Sequence, residues 1–323
     1  METAITPALI WHGLGYPLVR LIFFISLGLL VGNIVEGLRW TRAMGRLAKP
    51  LVKAGRLKDI SGASFALAFF SGIAANSMLS EAYENGRIND RELIVSNLFN
   101  SLPTYFLHMP TVFFIAAPFI GNVAFIYVGI TFAAACLRTV AVVLWGRFSL
   151  EGEGSSGDLD AILNKTEKPS IKSVLQKAWK RFKRRLPKIV YITVPIYTAF
   201  FFLKHYGFFE WFERYLSGGL SSFTWFNPQT LGIIAFSIAS EFTAGLAAAG
   251  SLLHAGSLSP RGIVIALLVG NILSTPMRAV RHQLPYYAGI FNGRLALKLM
   301  GCNQILRALS LIVVGSVYVV LTS

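Results

Sequence analysis

Two stretches of this sequence set polar side chains around a proline within otherwise apolar surroundings. Ser101-Leu102-Pro103 follows Asn97, and Ser274-Thr275-Pro276 follows Asn271. A proline in a helix frees the carbonyl four residues earlier. In a membrane such a carbonyl is tolerated where it lines a cavity or meets another helix. The ends of a broken helix also offer backbone dipoles to a polar or charged ligand. The chemistry this suits is binding: side chains and freed carbonyls standing in for the hydration shell of a small solute. Asn76 and Ser77 in the first half, and Glu241 and Thr243 in the second, lie in short polar segments upstream of these prolines. Arg278, Arg281 and His282 form a basic cluster after Pro276 that suits an anion. The first half carries Tyr105, Phe106 and His108 instead, so one half-site is cationic and the other aromatic. Glu241 would hold a proton, a cation or a ligand hydroxyl, or else pair with Arg278 or Arg281. Arg138 and Arg307 occupy matched positions and are expected to snorkel to the headgroups.

Other chemistries find little support. There is no nucleophile–base pair, no HExxH motif and no pair of acids at useful helical spacing. Two cysteines, Cys136 and Cys302, are too few for a disulfide framework or a cysteine-built zinc site. The expectation is a protein that is not an enzyme, with no cofactor and no assignable metal-ligand set.

The polar residues recur because the chain repeats itself. Gly86-Arg87-Ile88-Asn89 and Gly256-Ser257-Leu258-Ser259 each read as a helix stop followed by a new helix cap. The proline segments follow in order, then His108-Met109-Pro110 and His282-Gln283-Leu284-Pro285. The halves end alike, in LRTVAVVLWG from Leu137 and LRALSLIVVG from Leu306. Five matched features in sequence define two halves, 1–146 and 188–323, joined by a linker at 147–187.

The elements that carry these residues belong in a bilayer. Of 323 residues, 54% are hydrophobic and 14% charged, and the mean hydropathy is +0.58. Soluble domains carry about 25% charged residues. The net charge of +15 is concentrated: seven basic residues lie between Arg39 and Lys58, and eleven between Arg147 and Lys188. Eighteen of the 30 basic residues in two loops fit the positive-inside rule and leave no basic face for nucleic acid. Loops 39–58 and 147–188 are therefore expected to be cytoplasmic in a multi-pass protein of the cytoplasmic (inner) membrane. The apolar run from Pro17 to Leu38 reads as a retained helix. The aromatic, nearly neutral stretch from His205 to Gln229 reads as an outer interfacial segment. The first span runs out to in and its counterpart from 188 runs in to out, so the halves are expected to be inverted. Residues 170–188 read as a basic amphipathic helix ended by Pro187, lying on headgroups or docking a partner.

The short polar segment, the Gly-x-Ile/Leu turn with its cap, and the proline-broken helix ending in Leu284-Pro285-Tyr286-Tyr287 after Arg278 and Arg281 resemble the nucleoside-recognition, or Gate, domain. That family includes the membrane part of ferrous-iron transporters and the spore maturation proteins A and B. The resemblance covers roughly 17–146 and 188–321. It implies an all-α polytopic membrane protein of two inverted Gate-type repeats with proline-broken and re-entrant helices. It also implies transport by alternating access of a small polar or charged solute: nucleoside-like, an anion or a metal ion. The stretches matching the iron transporters' cysteine motifs, SGIAANSM and SEFTAGLA, hold no cysteine, and there is no phosphate-binding loop. Expected site residues are Asn76, Ser77, Asn97, Ser101, His108, Glu241, Thr243, Asn271, Ser274, Thr275, Arg278, Arg281 and His282. Expected partners are the lipid bilayer and the solute, with a homo-oligomer left open. The other reading is a non-transporting assembly protein that docks a partner through helix 170–188.

Overall fold

A computed structural model of the chain describes residues 6–38, 48–150, 170–207, 211, 228–239 and 242–322. Among them every regular element is a helix. A short lead-in, Pro7–Ile10 and a π-helical turn Trp11–Gly15, feeds α1 (Tyr16–Gly37). Then come α2 (Ala48–Ala54), α3 (Asp59–Ala68), α4 (Gly72–Glu84), α5 (Asp90–Phe99), α6 (Ser101–Ile120) and α7 (Val123–Ser149). The second half holds α8 (Ile171–His205), α9 (Pro228–Ala239), α10 (Phe242–His254), α11 (Pro260–Leu273), α12 (Thr275–Arg278), a π-helical turn Ala279–Gln283, α13 (Leu284–Ala288) and α14 (Gly293–Leu321). Apart from α2, both halves follow one order: a long helix, a helical hairpin, a broken helix and a long final helix.

Five helices are long and apolar enough to cross a membrane, or six if the bent pair Pro260–Leu273 and Thr275–Ala288 counts as one. Three of the six fall in each half. The hairpin arms have 10, 13, 12 and 13 residues. At ~1.5 Å per residue each arm reaches only about 15–20 Å, short of a hydrocarbon core of roughly 30 Å.

The matched turns have one geometry. Gly86 and Gly256 adopt φ of 68° and 66°, the left-handed region where a side chain is strained. Asn89 Oδ1 then accepts from Glu92 N (2.9 Å) and Ser259 Oγ from Gly262 N (3.2 Å), starting α5 and α11. The breaks fall at Asn100 and Ser274, just before Pro103 and Pro276 rather than at them. Each proline sits in the first turn of the following helix, where its missing N–H costs little. Pro110 lies inside a continuous α6, and the second-half break bends the chain by 49°.

Pro187 does not end the basic helix. α8 continues through Pro187 and Pro195 for 35 residues, so the expected boundary at 187/188 lies inside one helix. Linker residues 151–169 and most of the aromatic segment lie outside the described residues.

Two apolar cores hold the helices together, and each draws on both halves. One joins Ile25, Leu29 and Phe119 to Ile233, Ala247 and Ile263. The other joins Phe65, Leu79 and Phe99 to Tyr287, Phe291 and Leu299. Close approach depends on small residues. A Cβ at Gly28 would collide with the Phe114 carbonyl oxygen, and one at Gly32 would lie 3.2 Å from Thr111 Cα, so α1 packs backbone to backbone on α6. A Cβ at Gly250 of α10 would lie 2.7 Å from the Phe119 carbonyl oxygen, the same device across the halves.

Candidate functional site

The two breaks carry matched asparagines, and each pairs with a tyrosine from the opposite half. Tyr287 OH donates to Asn97 Oδ1 (3.2 Å), and Asn271 Nδ2 donates to Tyr127 OH (2.7 Å). Both asparagines lie one turn before a helix break and both are buried.

In the first centre Asn97 Nδ2 donates to Asn76 Oδ1 (3.0 Å), and Asn76 Nδ2 to Tyr286 OH (2.9 Å). The result is a hydrogen-bonded chain Tyr287–Asn97–Asn76–Tyr286, with the tyrosine rings edge to face at 5.3 Å. Ser80 Oγ adds a bond to Ile290 O (2.9 Å). The hairpin is tied to the break by Asn100 Nδ2 donating to Ser64 Oγ (2.9 Å) and Ser64 Oγ to Ala75 O (3.0 Å). Glu92, 2% exposed, accepts from Lys58 N (3.0 Å) and Ser61 Oγ (2.8 Å) and fixes where α3 begins.

In the second centre Arg278 Nη2 donates to both Asn271 O (2.7 Å) and Asn271 Oδ1 (2.6 Å). Arg307 Nη2 reaches the same Oδ1 (3.3 Å). Ser274 and Thr275 hydroxyls also donate to Asn271 O, each at 3.1 Å. Arg138 Nε donates to Ser101 Oγ (3.1 Å), so each half anchors an arginine of its last helix on its own break. α7 packs against α14, and Arg138 and Arg307 are close enough for their charges to repel. Arg278 and Arg307 repel likewise, and Tyr127 lies within reach of both. Arg138 is 7% exposed and its neighbours are partly buried. Snorkelling, expected from the sequence for Arg138 and Arg307, is therefore not what they do. Both point inward, because the apposed last helices bring polar acceptors within reach at mid-helix.

A third cluster lies where α1, α6 and α8 meet. Glu36, 8% exposed, accepts from Thr111 Oγ1 and from Arg181 Nη1, both at 2.7 Å. Arg185 Nη1 reaches Asn33 Oδ1 at 3.5 Å, and His108 lies in the field of Glu36, Arg181 and Arg185. At the edge of the molecule, Lys298 Nζ and Tyr83 OH both donate to Asp90 (2.9 and 2.7 Å). That bond and the carboxylate's charge raise the Tyr83 pKa.

Of the expected residues, Asn76 and Asn97 meet in the first centre, and Asn271, Ser274, Thr275 and Arg278 in the second. Ser101 holds Arg138, which faces Arg307 of the second centre across the last helices. Thr243 is buried beside Phe242, which stacks on Tyr127 at 5.8 Å, and its hydroxyl has no partner among the described residues. His108 belongs with the third cluster. Ser77, Arg281 and His282 are exposed and join neither centre. Glu241 lies outside the described residues. Sequence reasoning missed Tyr127 altogether; its only signal is its place eleven residues before Arg138. Among the described residues no three His, Cys, Asp or Glu side chains come together to hold a metal ion. A cavity of about 820 Å³ lined by Tyr16, Arg20, Phe114, Tyr197 and His254 shares no residue with these centres.

Three uncharacterised proteins of Methanocaldococcus jannaschii are similar to this chain over nearly its whole length. One is 27% identical over 293 residues, covering 89% of each chain. Another is 26% identical over 311 residues, covering 95% of this chain and 93% of its own. The third is 24% identical over 294 residues, covering 88% of this chain and 92% of its own. No family model and no solved structure matches.

Proposed function

We infer that this chain is a membrane transporter of the Gate type, carrying a small polar or charged solute across the cytoplasmic membrane. The observation that carries the reading is the crossed pairing of the two breaks, Asn97 with Tyr287 and Asn271 with Tyr127. Polar side chains buried within membrane spans are costly and are retained where they serve a pathway. Here they sit where the two halves meet, the position of substrate sites in repeat transporters. Three candidate spans and one short hairpin in each half support an inverted pair, since an odd number of crossings reverses the second copy. In this reading one half rocks against the other, and the Asn–Tyr bonds break and reform as the site changes sides.

The test is flux into proteoliposomes for a panel of nucleosides, small anions and divalent metal ions. At least one solute class should move above protein-free vesicles, and Asn97→Ala and Asn271→Ala should each lower that flux by tenfold or more while the protein still purifies as one species. Equal flux in both variants would sink the assignment.

One observation favours the second reading, an assembly protein. Ile171 (70% exposed), Leu175 (49%) and Trp179 (49%) recur at four-residue spacing along the basic start of α8. Replacing all three with serine separates the readings: loss of partner recovery with unchanged flux would favour docking.

A further inference from the structure

We propose that Arg138, Arg278 and Arg307 form a binding site for a small oxyanion, of carboxylate or phosphate chemistry, between the last helices of the two halves. The proposal deepens the transport reading and rests on it only for the movement of the bound anion. Arg278 and Arg307 share the Asn271 side-chain oxygen, Arg138 faces Arg307 across the packed last helices, and among the described residues none of the three has an acid partner. Their acceptors are neutral: an asparagine oxygen, a backbone carbonyl and a serine hydroxyl. Neutral acceptors satisfy hydrogen bonds but do not cancel charge, and an uncompensated buried cation is expensive. Gathering three raises the cost, because Arg307 repels each of the other two.

The hydrogen-bond inventory points to a missing acceptor. Each guanidinium has five N–H groups. Among the described residues only one nitrogen of each finds a partner, and the Nε of Arg278 is fully buried with none. Tyr127 OH accepts from Asn271, which leaves its own O–H free to donate. The site is thus rich in donors and poor in acceptors. An oxyanion supplies what is lacking, negative charge and several lone pairs, and guanidinium forks match its planar or tetrahedral oxygens two at a time. A metal ion or a cationic solute is repelled by the same three charges. Anchoring in pairs on the two breaks, Arg138 at Ser101 and Arg307 at Asn271, would let the anion draw both halves together.

The experiment is a thermal-unfolding titration of purified, delipidated protein with phosphate, sulfate and acetate, ionic strength being held with chloride. A saturable rise in Tm is expected for at least one oxyanion. Its midpoint should move at least tenfold upward in Arg278→Gln and Arg307→Gln, and less in Arg278→Lys and Arg307→Lys, which keep charge and guard against misfolded variants. Four results would overturn the proposal: no saturable response, a response unchanged in the Gln variants, stabilisation by phosphatidylglycerol but by no free anion, or a response that appears only in Glu241→Gln. The last would make that carboxylate the internal counter-charge. Binding without anion flux in proteoliposomes would keep the site and remove transport. Flux of a neutral solute unaffected by Arg278→Gln would do the reverse.

Discussion

Asn271 gives its amide hydrogen to Tyr127, its side-chain oxygen to Arg278 and Arg307, and its backbone carbonyl to Arg278, Ser274 and Thr275. Truncating it to alanine removes the side-chain acceptor that two cations share. The expected loss is about 2–3 kcal/mol, in the range for hydrogen bonds to charged groups, read as a lower Tm in detergent. Asn97→Ala removes two neutral bonds and should cost less, about 1–2 kcal/mol. Equal shifts would mean that the charges at Asn271 add nothing. Asn97, Asn271 and Arg278 were legible in the sequence because the repeat marks them twice or sets them beside a marked proline. Their partners were not. Tyr127 and Tyr287 lie 144 and 190 residues from the asparagines they bind, and no local pattern encodes such a contact. Arg138 and Arg307 were legible as a matched pair, but sequence spacing carries no information about which way an arginine points. For the same reason Arg281 and His282 could not be told apart from Arg278 in the sequence: they share its segment yet face outward.

At the scale of the element, turns and close contacts decide geometry. Gly86 is left-handed and a Cβ there would meet nothing, so Gly86→Ala measures backbone strain alone. It should cost about 1 kcal/mol. Gly129 is helical within α7 and equally open. There the same substitution should be neutral or stabilising by up to about 1 kcal/mol. Matching Tm shifts at the two sites would refute the turn assignment. Gly28→Leu should destabilise by about 1–3 kcal/mol, the usual range for overpacking, because the Phe114 carbonyl has nowhere to retreat without parting α1 from α6. The turns and caps at 86–89 and 256–259 were readable because glycine and capping residues act over four residues. The continuation of α8 through Pro187 was not, because packing against α1 and α10 outweighs one lost hydrogen bond.

Across the whole molecule, the Glu36–Arg181 pair ties the basic start of α8 to the end of α1. Its partners are unequal: Glu36 is buried, whereas the Arg181 side chain is 39% exposed. Removing the arginine leaves a buried carboxylate with Thr111 as its one hydrogen-bond donor among the described residues, while removing the carboxylate returns an arginine to water. Arg181→Ala should therefore lower Tm more than Glu36→Gln does, and the reverse order would place the carboxylate in water instead. The helical, multi-span character of the described residues was legible from composition and apolar run length. That both cores are shared between the halves was not, since apolar periodicity says that a face is buried but not against what.

The crossed asparagine–tyrosine bonds also have a meaning in time. During synthesis Asn97 emerges 190 residues before Tyr287. At roughly 5–20 residues per second, that is about 10–40 s in which a polar pair, Asn76 and Asn97, waits in the bilayer with one side of its network unmade. A first half made alone would wait indefinitely. Supplying residues 170–323, which keep α8 whole, as a separate chain should rescue it from degradation, and the same fragment carrying Tyr286→Phe and Tyr287→Phe should rescue it poorly.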